Sequence, residues 1–239
     1  MTPNIQDLYR TCEQTWPPAA TKEVGGFTIR NGDGGGKRVS AATLNAPDGI
    51  DQITMAETAM IEMDQTPLFM IRDGDSALDG ALEALGYEII DPVNIYCAEV
   101  DAIATERPPR VSMFNIWEPL QIQLDIWAQG GIGPNRIRVM DRAKGHKTSI
   151  ISRWDDHPAG TAYVAIHDNI AMVHALEILP HQRKKGVGTW FMRQAAFWAK
   201  DQEATHLSVI CTQHNIGANA LYTSLGMELV GQYHYRLKK

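Results

Sequence analysis

The chain has 239 residues, of which 44% are apolar and 21% are charged, a globular composition that excludes a disordered protein. The formal net charge of −6 gives no general attraction to nucleic acid or to an anionic membrane, and no apolar run is long enough to span a bilayer. The three cysteines lie far apart without a CxxC pair, which is typical of a reducing compartment, so we expect a cytoplasmic protein.

The first hundred residues alternate between helix and strand patterns. After a short helix, they predict a hairpin with strands over 24–30 and 37–43 and a glycine-rich turn over 31–36. The next elements are predicted as a helix over 51–64, a strand over 67–72, a helix over 76–85 and a strand over 87–100. Two adjacent prolines in 106–110 favour an extended connector. We therefore expect two domains, 1–105 and 106–239.

The second half gives clearer patterns. Helices are predicted over 118–129 and 135–142, strands over 148–154, 160–167 and 170–179, and then a helix over 188–201, a strand over 206–212, a helix over 216–225 and a strand over 228–237. An internal repeat links the halves, because Leu-Gly-Tyr-Glu-Ile-Ile at 85–90 is echoed by Leu-Gly-Met-Glu-Leu-Val at 225–230. Either the chain holds two copies of one fold, the first eroded, or both segments are ordinary helix–glycine–strand junctions.

A basic, glycine-containing turn joins a predicted apolar strand to a predicted helix. Gly186 and Gly188 allow a ligand to approach the backbone, and the first N–H groups of a helix have no partner within the helix. Together with the helix dipole and three basic side chains, they predict an anion site suited to a pyrophosphate. The basic side chains are those of Arg183, Lys184 and Lys185. A solvated basic turn is the alternative, and Phe191 stands where a dinucleotide fingerprint needs its third glycine.

Two segments resemble the GNAT acyltransferase superfamily. Arg-Lys-Lys-Gly-Val-Gly at 183–188 is similar to its Arg/Gln-x-x-Gly-x-Gly/Ala phosphate loop. The segment 215–227 is similar to its Asn-x-x-Ala-x-x-Leu-Tyr-x-x-x-Gly-Phe element, with Met227 in place of the usual Phe. The resemblance covers about 117–239. It implies an α/β fold with a mixed, mostly antiparallel sheet flanked by helices, preceded by a smaller degenerate GNAT-like domain that lacks both motifs.

The resemblance also implies acetyl-CoA as cosubstrate and an N-acetyltransferase that acetylates a primary amine of a small molecule or peptide. Tyr222 would be the general acid that protonates the departing thiolate, with a core tyrosine as the alternative. Asn215, seven residues earlier on the same helical face, would meet the pantetheine. In this family the pantetheine pairs with a strand edge freed by a bulge, which implies Glu177 and Ile178, and the Ile178 amide would stabilise the oxyanion. The implied pyrophosphate contacts are the main-chain groups of Arg183, Lys184, Lys185, Gly186, Val187 and Gly188.

The general base is less defined by the sequence. His174 stands where many relatives carry a glutamate, so it is the candidate base, and a core histidine is the alternative. A substrate amine that arrives neutral needs no base at all. The eight histidines and the cysteines show no metal-ligand spacing, so we expect no metal.

Partners and competing functions follow from the same observations. The negative net charge favours a cationic acceptor. Nucleic-acid and membrane partners are not expected. Members of the family that the chain resembles are often dimers, so the resemblance implies a possible homodimer. The alternatives are a non-catalytic acyl-CoA-binding sensor and a nucleotide-binding protein that uses the same anion site.

Overall fold

A computed structural model describes residues 3–238 and places eight strands in one sheet and three in another. The helices are α1 (Ile5–Thr15), α2 (Lys37–Ser40), α3 (Ile53–Ile61), α4 (Ser76–Ala84), α5 (Val100–Ile103), α6 (Gln121–Gln129), α7 (Pro134–Arg142), α8 (Val187–Asp201) and α9 (Ile216–Ser224). The strands are β1 (Ala20–Val24), β2 (Phe27–Asn31), β3 (Thr43–Leu44), β4 (Leu68–Ile71), β5 (Glu88–Glu99), β6 (Met113–Ile116), β7 (Lys147–Trp154), β8 (His157–His167), β9 (Ile170–Ile178), β10 (His206–Thr212) and β11 (Glu228–Leu237).

The large sheet has the strand order β4-β11-β5-β10-β9-β8-β7-β6. Within the described part of the chain, its β9–β10 pair is parallel and its other pairs are antiparallel. The predicted mixed, mostly antiparallel α/β fold is therefore confirmed. Strand β5 lies between β10 and β11, so the sheet is continuous across the predicted domain boundary at residue 105.

The centre of the sheet is buried on both faces. Along β8, Ala162 and Val164 pack in the apolar cluster that includes α8, whereas Tyr163 and Ala165 pack on the opposite face with Trp127 of α6. This alternation follows from the two-residue period of a strand. It explains why β8 reads as a nearly continuous apolar run, since both of its faces are covered by helices.

The predicted N-terminal hairpin is wrong in its position. The observed hairpin joins β1 to β2 through Gly25 and Gly26, both at positive φ, as a two-residue hairpin turn requires. The glycine-rich segment 31–36 instead packs against α7, where a Cβ on Gly35 would lie 2.6 Å from Cγ2 of Val139. Residues 37–40, predicted as strand, form the short helix α2.

The internal repeat recurs in the element bounds. Helices α4 and α9 are both nine residues long and start 140 residues apart, and β5 and β11 start at the same separation. Helices α3 and α8 also end 140 residues apart. Across residues 3–238, no helix has both the length and the apolar character needed to cross a bilayer.

Candidate active site

Strands β9 and β10 separate partway along their length. Their parallel pairing ends at Val173 and Val209, although β9 continues to Ile178 and β10 to Thr212. A bulge lies at this point, because the register between β8 and β9 shifts and Ala175 has a φ of 51°. The result is an opening between the two strands, which we call the strand gap.

Local hydrogen bonds hold the edge of β9 at this gap. The indole Nε1 of Trp127 donates to the bulged Ala175 carbonyl over 2.7 Å, which fixes the strand where it turns away. The Leu179 N–H donates to the Ala159 carbonyl on the β8 side over 2.9 Å. Since successive N–H groups of a strand alternate in direction, the preceding Ile178 N–H faces the strand gap.

The N-terminus of α8 lies beyond the end of β9. Gly186 is the N-cap residue with a φ of 80°, no side chain caps the helix, and its first turn holds no acidic residue. A Cβ built on Gly186 would meet nothing within 4 Å, so the space in front of the cap is open. The unpartnered N–H groups and the helix dipole make this end suited to an anion.

The basic side chains around this end differ in their partners. Arg183 pairs with Glu177 at 3.0 Å and also donates from Nε to the Ile178 carbonyl at 2.9 Å. Lys185 pairs with Asp155 at 3.0 Å, whereas Lys184 has no ion-pair partner among residues 3–238. Two of the three predicted cations therefore also position the loop. Gly188 serves packing, because a Cβ there would lie 2.9 Å from Cδ2 of Leu221.

Tyr222 lies in α9 and is buried against the ring of Tyr96, with the ring centroids 5.6 Å apart. Within residues 3–238 its hydroxyl has no hydrogen-bond partner. Burial raises the pKa of Tyr222 above its usual value, with the neighbouring Cys211 as a smaller cause. The phenol therefore keeps its proton at neutral pH.

Asn215 stands directly before the first residue of α9, the helix that carries Tyr222. It is the N-cap of α9, and its Oδ1 accepts from the Ala218 N–H at 3.1 Å, which leaves its amide Nδ2 exposed. Sequence reasoning missed Asn219, which bonds to the carbonyls of Thr212 and Asn215 and accepts from the Tyr96 hydroxyl. It therefore ties α9 to the end of β10.

His174 is a core histidine, and its predicted role as general base is wrong. The Thr15 hydroxyl donates to the Thr11 carbonyl and so accepts from His174 Nε2 at 2.8 Å. Arg38 donates to Nδ1 at 3.0 Å. Burial and then the Arg38 charge lower the pKa of His174 well below its usual value. Both ring nitrogens are already bonded, so neither is free to take a proton from a substrate.

A cavity of about 400 Å³ opens beside the strand gap. Ala175 and Cys211 line it from the two separating strands, and Trp16, Arg38 and Asp91 line it from the first half of the chain. Both halves therefore build its wall. Over residues 3–238 no three His, Cys, Asp or Glu side chains are grouped as a metal site would require.

Comparison with known proteins agrees with this geometry. Residues 113–227 match the model of the acetyltransferase (GNAT) family. The chain is 25% identical, over 99% of both chains, to the uncharacterized N-acetyltransferase YobR of Bacillus subtilis. It is also 30% identical over 70 residues to an aminoglycoside N(6')-acetyltransferase type 1 of Acinetobacter haemolyticus, of which it covers 48%.

The fold has a solved counterpart in a GCN5-related N-acetyltransferase from Kribbella flavida. The TM-score is 0.75 at 16% identity, with 99% of this chain and 96% of that chain covered. Residues 113–227, just under half of the chain, therefore match the GNAT acetyltransferase family, and the homologues support an acetyltransferase enzyme.

Proposed function

We propose that the protein transfers an acetyl group from acetyl-CoA to a primary amine. The observation that carries this proposal is the strand gap, with the uncapped end of α8 beyond the end of β9 and the cavity lined by Ala175 and Cys211 beside it. A donor bound at one mouth and an acceptor bound at the other would meet in the gap.

The donor site would be formed largely by main chain. The N–H groups from Arg183 to Gly188 would hold the diphosphate at the open end of α8. The edge of β9 at Glu177 and Ile178 would pair with the pantetheine, and the free Nδ2 of Asn215 would donate to it. Bound there, acetyl-CoA supplies an activated thioester at the strand gap.

Two groups of the chain would then act on the reacting atoms. The Ile178 N–H would donate to the thioester carbonyl oxygen as negative charge develops on it. Tyr222 would deliver its hydroxyl proton to the departing sulfur, since its pKa is raised and its hydroxyl has no other bond among the described residues.

No side chain at the gap is proposed as a dedicated base. Both nitrogens of His174 are bonded, and the Glu177 carboxylate pairs with Arg183. The acceptor would therefore attack as the neutral amine, and the proton that its nitrogen loses after the attack would return through solvent to the Tyr222 phenolate. We therefore expect kcat/KM to rise about tenfold per pH unit below the pKa of the acceptor amine and to level off above it. A plateau near neutral pH that is the same for acceptors of different basicity would contradict this.

We infer that residues 1–105 are an eroded copy of the catalytic unit. The repeat at a separation of 140 residues supports this, as does the interleaving of β5 with β10 and β11. In the repeat, Leu82 occupies the position equivalent to Tyr222. Residues 43–48, which are equivalent to the phosphate loop 183–188, contain no glycine. This unit would bind no acetyl-CoA and would instead shape the acceptor cavity.

The proposal is tested with a panel of primary amines, acetyl-CoA and detection of the released thiol. The panel includes aminoglycosides, since one relative is an aminoglycoside acetyltransferase, together with amino acids, polyamines and peptides. Acetyl-CoA-dependent N-acetylation of a panel member supports the proposal. Binding of acetyl-CoA without transfer to any of these amines would contradict it.

A further inference from the structure

The cavity beside the strand gap carries a positive charge that the chain does not neutralise. Three cations line it, Lys37, Arg38 and Arg136, with the single carboxylate of Asp91. Lys37 and Asp91 pair with each other at 2.5 Å. The lining of this cavity therefore has a net positive charge, although the whole chain has a net charge of −6.

Arg38 is half-buried and has no carboxylate partner among residues 3–238. Its guanidinium donates to His174 Nδ1 and stands over the Trp16 ring at 5.6 Å, and its buried Nε has no hydrogen-bond partner among the described residues. A half-buried guanidinium with no counter-charge and an unpaired buried Nε carries a desolvation cost, which an anionic ligand would offset. His174 holds it in place.

Arg136 is the second unpaired cation. It projects from α7 across Gly36, where a Cβ would lie 3.3 Å from its Nη2. No ion pair joins it to a described carboxylate, in contrast to Arg138 on the same helix, which pairs with Asp33 at 3.0 Å. The cavity therefore presents two guanidinium groups, which suit the planar oxygens of a carboxylate or those of a phosphate.

We propose that the acceptor is a primary amine that also carries an anionic group, a carboxylate in the first instance, which Arg38 and Arg136 bind while the amine faces the strand gap. The inference rests on the proposed function and narrows it to amino-acid-like amines. Polyamines and aminoglycosides, which carry only positive charge, are disfavoured by this wall.

The test uses matched acceptors with acetyl-CoA and the full chain. Each amino acid is compared with its carboxamide and its decarboxylated amine, and phosphoethanolamine is compared with ethanolamine. We expect kcat/KM to be about 10²-fold or more higher for an anionic member than for its neutral counterpart. The phosphoethanolamine arm distinguishes phosphate from carboxylate as the bound group.

Two variants complete the test. Arg136→Gln should raise KM for the anionic acceptor about tenfold, with kcat almost unchanged and the neutral counterpart unaffected. Arg138→Gln, an exposed change on the same helix outside the cavity, should alter neither. Equal use of neutral and anionic acceptors would overturn the inference and leave the proposed function intact. Failure to acetylate any amine, anionic or neutral, would contradict both.

Discussion

At the scale of single residues, Tyr222 carries the chemical prediction. Tyr222→Phe should lower kcat by about 10²-fold or more and leave the Kd for coenzyme A almost unchanged, because the hydroxyl acts only on the departing sulfur. Steady-state kinetics and calorimetry measure the two quantities. Tyr87→Phe, a change far from the strand gap that removes a hydrogen bond to Glu57, should leave kcat unaltered. An unchanged kcat in Tyr222→Phe would show that another group protonates the thiolate.

His174 gives a prediction for stability against pH. Its folded pKa is lowered, so the unfolded chain binds an extra proton below about pH 6.5. The stabilisation is complete above that pH and is lost as pH falls, with a slope of at most about 1.4 kcal/mol per pH unit. His206, whose pKa burial also lowers, adds in the same direction. Urea unfolding at pH 5.5 and 7.5 measures the difference.

His174→Gln should make this difference smaller, although the variant is less stable at both pH values. His157→Gln, on an exposed residue, serves as the matched control and should keep the wild-type difference. A wild-type protein equally stable at both pH values would contradict the buried neutral histidine.

At the scale of elements, a substitution at the N-terminus of α8 can test ligand affinity separately from helix stability. Thr189→Glu places a carboxylate in a first turn that has none, which favours the helix by about 0.3–1 kcal/mol through its dipole. The same charge would repel a diphosphate, so the Kd for coenzyme A should rise about tenfold or more. Thr189→Gln is the neutral control. Tight binding retained by Thr189→Glu would exclude this helix end as the anion site.

The sequence was most informative where local signals agree. Strands β10 and β11 begin and end as predicted, because glycine and turn residues bound their apolar runs. The hairpin was misplaced because two glycine clusters compete for the turn, and the choice depends on packing against α7. The helix predicted over 188–201 begins one residue earlier, at Val187, after the N-cap Gly186. The environment of His174 did not follow from the sequence, because its partners Thr15 and Arg38 lie more than a hundred residues away in the sequence. The bond from Ala218 to Asn215, in contrast, is a local N-cap contact.

At the scale of the whole molecule, the interleaved sheet makes the two halves depend on each other. Residues 106–239 alone would lack β5, which pairs with both β10 and β11. We expect this fragment to fail to fold, since it leaves two strand edges open and part of the core uncovered. Co-expression with 1–105 should restore a folded complex that binds coenzyme A, as circular dichroism and calorimetry would detect.

A cleavable linker at residues 106–110 provides the control. Because the halves share a sheet, the chain cut there after folding should stay associated in size-exclusion chromatography. A stable, active 106–239 fragment would show that the first half neither completes the sheet nor shapes the acceptor cavity.

Titration of coenzyme A into the full chain by calorimetry examines the main conclusion most directly. One molecule should bind per chain, ATP at the same concentration should fail to displace it, and Thr189→Glu should lose most of the affinity. No heat on titration, or equal displacement by ATP, would contradict the assignment of the α8 end and the strand gap to the acetyl donor.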